Sequence, residues 1–447
     1  MTSSFIFERY AFDSATGVLH LHYRYDGGAH FEERITFPSP VPDLPSDRLA
    51  ALDRAFRLIF LLAGVSYYKA FVPRDLICEA FPLDKAAADF VARVYRNGLG
   101  EFAWRNRIDL SDKINFAVSD APESPSAPLS LPRRLLVPVG GGKDSIVSLE
   151  LLKQAGFPVT LYAQGKAADD IAAPIQATIA ASGLPALKVG RVLSEALLEL
   201  NKAGALNGHV PITAILSSIT IACAILYGFD TIVLSNERSA SAPNLIIGGT
   251  EINHQYSKSL AFEADLSAYI AAHIAPDLRY FSLLRPLTEA AIARRFAKAE
   301  KYHAIFRSCN TAFRQDEKRR GTNWCCDCPK CRFVFLALAP FMDKRHLIGI
   351  FGKNMLDDET QKQGFAELCG LAAHKPFECV GEIEESALLL EKLRRSAAWQ
   401  SDCVVQELGD KLAAASNDFD ARFSALFVPH SEHRVPEEFL RLLHAYL

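Results

Sequence analysis

At 447 residues the chain is too long for one ordinary hydrophobic core, so two or three domains are expected. Apolar residues make up 49% and charged residues 23%, the profile of a soluble globular protein, and a formal net charge of −3 gives no support for a nucleic-acid partner held by bulk electrostatics. Only a local basic groove stays open to that class.

The N-terminus, MTSSFIFERYAFD, has no basic region followed by an apolar core, so no secretory signal is expected. Residues 5–38 alternate apolar and polar side chains and read as antiparallel strands with turns near Ala15–Gly17 and Asp26–Gly28. Helical patterning follows over Asp47–Phe71, and a Pro/Ser-rich stretch, Ser119–Pro132, reads as a linker. Beyond it RLLVPV, PVTLYAQ, ALKVGRVL and TIVLSN are short apolar strands separated by helical segments, the rhythm of a parallel sheet with crossover helices. The expected architecture is α/β: an N-terminal α+β domain over 1–120, a parallel-sheet nucleotide domain over 133–345 and a mainly helical region over 346–447.

Ile212–Phe229 runs for eighteen residues without a charge, the lower limit for a membrane span. It carries Thr213, Ser217, Ser218 and Thr220, meets Gly228 where a helix can stop, and leads straight into the strand TIVLSN. A crossover helix buried against the sheet, not a membrane span, is the expectation.

The segment LLVPVGGGKDSIVSLELLKQAG, Leu135–Gly156, places a glycine turn between a strand and an amphipathic helix. A Walker loop is excluded, because Asp144 stands where a magnesium-binding hydroxyl must follow Lys143 and no glycine lies five residues before Gly142. The dinucleotide fingerprint is met only loosely by Gly140, Gly142 and Ser145. Gly141, Gly142, Asp144 and Ser145 instead resemble the SGGxDS pyrophosphatase loop (PP-loop) of enzymes that cleave ATP to AMP and pyrophosphate, with Lys143 at the variable place and Gly140 replacing the first serine. Such glycines let backbone N–H groups close on phosphates, and the helix N-terminus adds partial positive charge. Ser145 is placed to cap the helix or bind phosphate, Lys143 to neutralise departing pyrophosphate, and Asp144 to hold Mg2+ or order the loop. Ser235 and Asn236 end the strand TIVL and would border the same nucleotide.

Cys309, Cys325, Cys328 and Cys331 have the spacing of a closed tetrahedral zinc site, structural because four thiolates leave no open position; Cys326 is the spare. Clustered thiols of this kind also make the cytoplasm the expected compartment. Lys318, Arg319 and Arg320 read as a solvated loop, with a nucleic-acid finger as the alternative. The order GGGKDS, HVP with its helix, RPLTEAAIA and then CxxCxxC resembles the deazaguanine nitrile synthases, which are zinc-containing enzymes that adenylate a carboxylate with ATP.

The segments SNERSASAPNLIIGGTEINHQYSKSLAFEADL, GKNMLDD and HKPFECVGEIEES, together with FIFERYAFD, look like the bacterial UDP-N-acetylmuramoyl-L-alanyl-L-glutamate epimerases (the MurL type) over nearly the whole chain. That resemblance implies ATP- and Mg2+-dependent inversion of the terminal glutamate of a UDP-muramoyl dipeptide through an acyl adenylate, in peptidoglycan synthesis. Candidates for proton transfer are His254 and Lys258, read as sharing a helical face, with His374 and Cys379 from the tail. Arg238 and His209 are candidates for gripping the substrate, and Lys258 is a further candidate for its carboxylates or phosphates. The alternatives are another PP-loop carboxylate-adenylating synthetase, base-modifying or amide-forming, and a non-catalytic zinc-stabilised interaction module.

Overall fold

Alternation sets the first three strands, β1 (Ser4–Asp13), β2 (Val18–Tyr25) and β3 (His30–Thr36), in the computed structural model of the chain. It describes residues 3–120, 125–247, 249–309, 311, 323–372, 375–413 and 418–447. Leu19, Leu21, Tyr23 and Tyr25 all point to one buried face of β2, because successive side chains of a strand alternate sides. The turns fall where the glycines predict them.

The remaining strands are β4 (Asp75–Cys78), β5 (Asn115–Phe116), β6 (Leu135–Pro138), β7 (Val159–Gly165), β8 (Ala186–Val192), β9 (Thr231–Leu234), the short β10 (Leu245–Ile247) and β11 (Thr250–Ile252), and β12 (Arg279–Ser282). Ten of them form one mixed sheet in the order β12-β9-β6-β7-β8-β3-β2-β1-β4-β5, while β10 and β11 pair as a separate hairpin. Strands β12, β9, β6, β7 and β8 are parallel neighbours, as the strand–helix alternation predicts. Antiparallel pairing of β3 with β8 carries the sheet without a break from the N-terminal strands into the parallel half. Glu33 and Arg191 make a buried ion pair of 2.7 Å across that junction. The strand β12 was not anticipated: RYFS is too short to show a period.

Two hydrophobic cores lie on the sheet's two faces. Leu136 and Ile232 face one, with the helices Ser46–Ala63 and Ile212–Tyr227; Leu135, Val137 and Val233 face the other, with the helix Lys143–Gln154 and the C-terminal helices. Burial on both faces is why these parallel strands read as continuous apolar runs. The C-terminal helices include Pro329–Leu338, Ile383–Arg394, Cys403–Ala413 and Glu437–Tyr446.

The uncharged run from Ile212 is the expected crossover helix. Three of its four Ser/Thr hydroxyls bond within the protein: Ser217 with the Tyr280 hydroxyl at 2.9 Å, Ser218 with Ile215 O at 2.8 Å and Thr220 with Leu216 O at 2.8 Å. Gly228 ends the helix at φ 75°, and Arg48 donates to the carbonyls of Ile225 (2.6 Å) and Leu226 (3.0 Å), which the helix leaves unpaired. Among the described residues no helix is long and apolar enough to cross a membrane.

Candidate active site

Parallel β6 and β9 bring Val139–Ser145 and Ser235–Asn236 to the same edge of the sheet, beyond the strands' carboxyl ends. Between them lies a cavity of ≈ 340 Å³ bordered by Gly140, Gly142, Asp144, Ser145, Ser235 and Asn236. No side chain caps the helix that starts at Lys143, so its first N–H groups are left for a ligand. Ser145 Oγ donates back to Gly142 O (3.1 Å) and holds the turn closed. The Ser235 hydroxyl oxygen is buried without a hydrogen-bond partner on the cavity wall, an expensive arrangement unless something polar enters. Asn236 donates to Ser282 Oγ at 3.1 Å.

Gly141 is the position that only glycine fits. Its φ is +73°, and an added Cβ would lie 3.0 Å from Pro174 C and 3.1 Å from Ile175 N. A Cβ on Gly140 would meet open space. Gly141→Ala is therefore expected to cost about 1–3 kcal/mol of stability and to abolish ATP-induced thermal stabilisation. Gly140→Ala is expected to leave the melting temperature unchanged; paired thermal-shift curves with and without nucleotide read both.

The turn is held from outside by the segment that leads into the cysteines. Arg307 N–H donates to Gly141 O at 2.9 Å, and Ser308 abuts Gly142. The Sγ atoms of Cys309, Cys325, Cys328 and Cys331 all lie within 4.8 Å of one another, with Cys325–Cys331 at 3.6 Å and Cys328–Cys331 at 3.5 Å. An ion with Zn–S bonds of about 2.3 Å sets its ligands roughly 3.8 Å apart, so these four can hold a tetrahedral metal. Cys326 is turned away, its thiol 3.3 Å from Phe351 O, as a spare would be. Lys330, between Cys328 and Cys331, lines the same cavity as the glycine turn.

Lys143 occupies a different place from the one the motif suggests. Its ammonium is 1% exposed and paired with both Asp144 and Glu289, the latter also 1% exposed, so it faces into the protein and not into the cavity. Burial alone would push this ammonium down, but the two carboxylates hold it protonated. The cationic groups on the cavity wall are Lys258, Lys330 and Arg307, of which only Lys258 was singled out from the sequence. Burial raises Asp144, yet Lys143 and Lys330 outweigh that and keep its carboxyl below the usual range.

His254 and Lys258 do not share a helical face. His254 precedes a single 3-10 turn, Tyr256–Lys258, because Asn253 and Asn244 capture the local backbone N–H groups of Gln255 and His254. They meet through Cys379, whose Sγ lies 3.3 Å from Lys258 Nζ. His254 Nδ1 pairs with Glu101, which also accepts from Arg105 at 2.5 Å. The His209 ring lies against His254 with centroids 4.2 Å apart. Arg238 forms a two-pronged pair with Glu382 (3.1 and 3.2 Å) and lines a neighbouring cavity of ≈ 550 Å³ with Asn253, Tyr256 and Arg285.

Besides Lys330 and Arg307, three further neighbours of the candidate site were missed from the sequence. Glu101 lies in an N-terminal helix, Gly100–Asn106, with no motif around it. Glu289 and Arg285 belong to RPLTEAAIA, and Arg285, 1% exposed, fastens Lys258 by donating to its carbonyl at 2.5 Å and to Glu237 O at 2.6 Å. His374 and the charge run Lys318, Arg319 and Arg320 lie outside the described residues.

Residues 1–283 match the family model for the MurL N-terminal domain, and residues 305–422 match that for the MurL C-terminal domain. A UDP-N-acetyl-alpha-D-muramoyl-L-alanyl-L-glutamate epimerase of Xanthomonas oryzae pv. oryzae is 44% identical over 434 residues, 97% of this chain and 95% of the relative. Proteins of the same name from Micromonospora sp. (44% identical, 98% of this chain and 97% of the relative) and Salinispora tropica (42%, 98% and 94%) match equally fully. The chain belongs to the family of UDP-N-acetyl-alpha-D-muramoyl-L-alanyl-L-glutamate epimerases.

Proposed function

We propose that this chain inverts the terminal L-glutamate of UDP-N-acetylmuramoyl-L-alanyl-L-glutamate to D-glutamate, an isomerase step of peptidoglycan precursor synthesis, and that it first adenylates the carboxylate with ATP in a PP-loop site. The family relationship supports the epimerisation. The uncapped glycine turn, with the partnerless Ser235 hydroxyl across the cavity from it, supports the nucleotide.

A carbon next to a free carboxylate resists deprotonation, since the new carbanion would sit beside an existing negative charge. Transfer of AMP removes that charge and leaves an acyl adenylate with a far more acidic Cα–H. Each unit of acidity gained lowers the deprotonation cost by about 1.4 kcal/mol. In this reading the amides of residues 140–145 cradle the phosphates. Asp144, facing the cavity with Lys143 holding it, is the residue to carry Mg2+. Lys258, Lys330 and Arg307 then offset the charge of departing pyrophosphate and of the enolate. Arg238 and His209 stay assigned to the substrate, Arg238 by exchanging Glu382 for a carboxylate or phosphate. The four-cysteine cluster takes a structural zinc that supplies no chemistry and steadies the turn.

The test is incubation with ATP, Mg2+ and the UDP-muramoyl dipeptide in heavy water. Release of AMP and pyrophosphate together with deuterium at the glutamate α-carbon is expected. Deuterium incorporation in the absence of ATP would rule out the adenylate, and no incorporation at all would rule out the epimerase.

A further inference from the structure

Epimerisation needs groups that take a proton from Cα on one face and return it on the other. Resting on the reading above, we infer that Cys379 is one of these two proton carriers, acting as a thiolate base on one face of the activated glutamate, with His254, Glu101 and Lys258 as positioning groups.

The argument begins with place. Lys258 borders the nucleotide cavity and its ammonium stands 3.3 Å from Cys379 Sγ, so the thiol lies one side chain behind the cavity wall. Lys330, also on that wall, donates to the Cys379 carbonyl. The loop bearing Cys379 is pinned just before the thiol. Asn244 Nδ2 donates to Pro376 O at 2.8 Å, and the Phe377 ring lies 5.0 Å from Trp104 and 5.3 Å from the Arg105 guanidinium. Trp104 and Arg105 belong to the short helix that also presents Glu101 to His254. One element therefore sets both the loop and the imidazole.

The surroundings favour the charged thiol. Burial by itself would push Cys379 up; Lys258, His254 and Lys330 reverse this and bring it down to about 6. Burial would push His254 down, but Cys379 and Glu101 raise it to about 9. His209, pushed down to about 4 by burial and by His254, stays neutral beside the pair. A thiolate facing an imidazolium held by a carboxylate is the arrangement that activates a cysteine near neutral pH. Of the other described thiols, four lie in the cysteine cluster, Cys326 lies against Phe351, Cys223 and Cys369 are buried in the two cores, and Cys78 and Cys403 are half-buried in β4 and at the start of the helix Cys403–Ala413.

The step balances without a further reactant. The Cα–H bond breaks and an S–H bond forms. The pair of electrons from Cα–H moves into the adjacent acyl group as an enolate, so the negative charge leaves Sγ and arrives on the acyl oxygen. Lys258 can follow it. Return of a proton to the opposite face completes inversion, and attack of water on the acyl carbon then restores the carboxylate and releases AMP.

Two partial reactions separate this inference from the reading it rests on. ATP–pyrophosphate exchange in the presence of the dipeptide precursor reports adenylation alone, and deuterium incorporation reports the α-proton. Cys379→Ser is expected to keep the exchange and to lose at least about 100-fold in deuterium incorporation. In the unaltered enzyme incorporation is expected to rise as the pH passes about 6, where the thiolate forms, and to fall near 9, where the imidazolium is lost. His254→Gln is expected to move the lower limit upward while KM for ATP stays unchanged. Should Cys379→Ser not fold, alkylation of the native protein by iodoacetamide serves instead: Cys379 should react with a midpoint near pH 6 and block incorporation but not exchange.

Wild-type deuterium incorporation in Cys379→Ser with intact exchange overturns the inference and leaves the adenylation reading standing. Absent exchange in the unaltered enzyme overturns the reading itself. A substrate thioester on Cys379 in the mass spectrum would make it a nucleophile instead of a base. Glu101, His209 and His254 also lie within 4.8 Å of one another, so a second metal equivalent lost in His209→Ala would overturn the positioning role.

Discussion

Methionine in place of Lys143 is expected to destabilise the protein by about 3–5 kcal/mol, because it leaves a buried carboxylate without its partner. Glu289 and the Lys143 ammonium are each 1% exposed and in contact, and Asp144 leans on the same ammonium from the cavity side. Burial already pushes the Glu289 carboxyl up, so it will take a proton once Lys143 is gone and soften part of the loss. Asp144 has no such escape without losing the charge that its proposed magnesium role needs. ATP cleavage is therefore expected to fall even in the fraction that stays folded. The double variant Lys143→Met with Glu289→Leu is expected to recover most of the stability and none of the ATP cleavage, since an apolar pair can replace a buried ion pair at little cost. Urea denaturation of the three proteins checks the first part and pyrophosphate release the second. A lysine that bound phosphate directly would give the opposite pattern: unchanged stability and a raised KM for ATP.

The second large effect is expected from the cysteine cluster. One zinc per chain should be found by metal analysis, and Cys331→Ser or prolonged chelation should remove it. Structural zinc contributes on the order of 10 kcal/mol in isolated fingers, enough to undo the segment around the cysteines. That segment matters to the site. Arg307 and Ser308, just before Cys309, brace the glycine turn, and Lys330 reaches the cavity from between two of the thiols. Metal loss should thus cost nucleotide binding as well as local structure. Trp324 provides the readout: its ring stacks on Phe351 at 4.4 Å and meets Phe306 at 5.1 Å, so its fluorescence should shift to the red as the cluster opens. Cys326→Ser is the control, expected to keep both the metal and the spectrum because its thiol faces Phe351 O. Unaltered fluorescence and nucleotide binding in a metal-free protein would show that the thiols are ordinary buried side chains.

What could be read from the chain came from contacts that are short in sequence. The glycine turn is legible because strand, turn and helix are consecutive, and a positive φ at Gly141 leaves few other residues possible there. The hairpins of residues 4–36 follow from alternation and their turn glycines, and the helix after Pro211 follows from its uncharged run closed by Gly228. Three of the four cysteines sit within seven residues, close enough for their spacing alone to suggest one ion.

Tertiary structure decided which charges meet. Glu289 lies 146 residues from Lys143, Glu101 lies 153 from His254, and Cys379 lies 121 from Lys258. No period or motif links positions so far apart, and a lone glutamate or cysteine looks the same whether it ends in solvent or against an ammonium. The roles of Lys143 and Lys258 depend on that difference: the first is enclosed by carboxylates, and the second stands between a thiol and the cavity. Local backbone geometry can be written into neighbouring residues, whereas an electrostatic environment exists only after the sheet and its two cores have brought distant segments together.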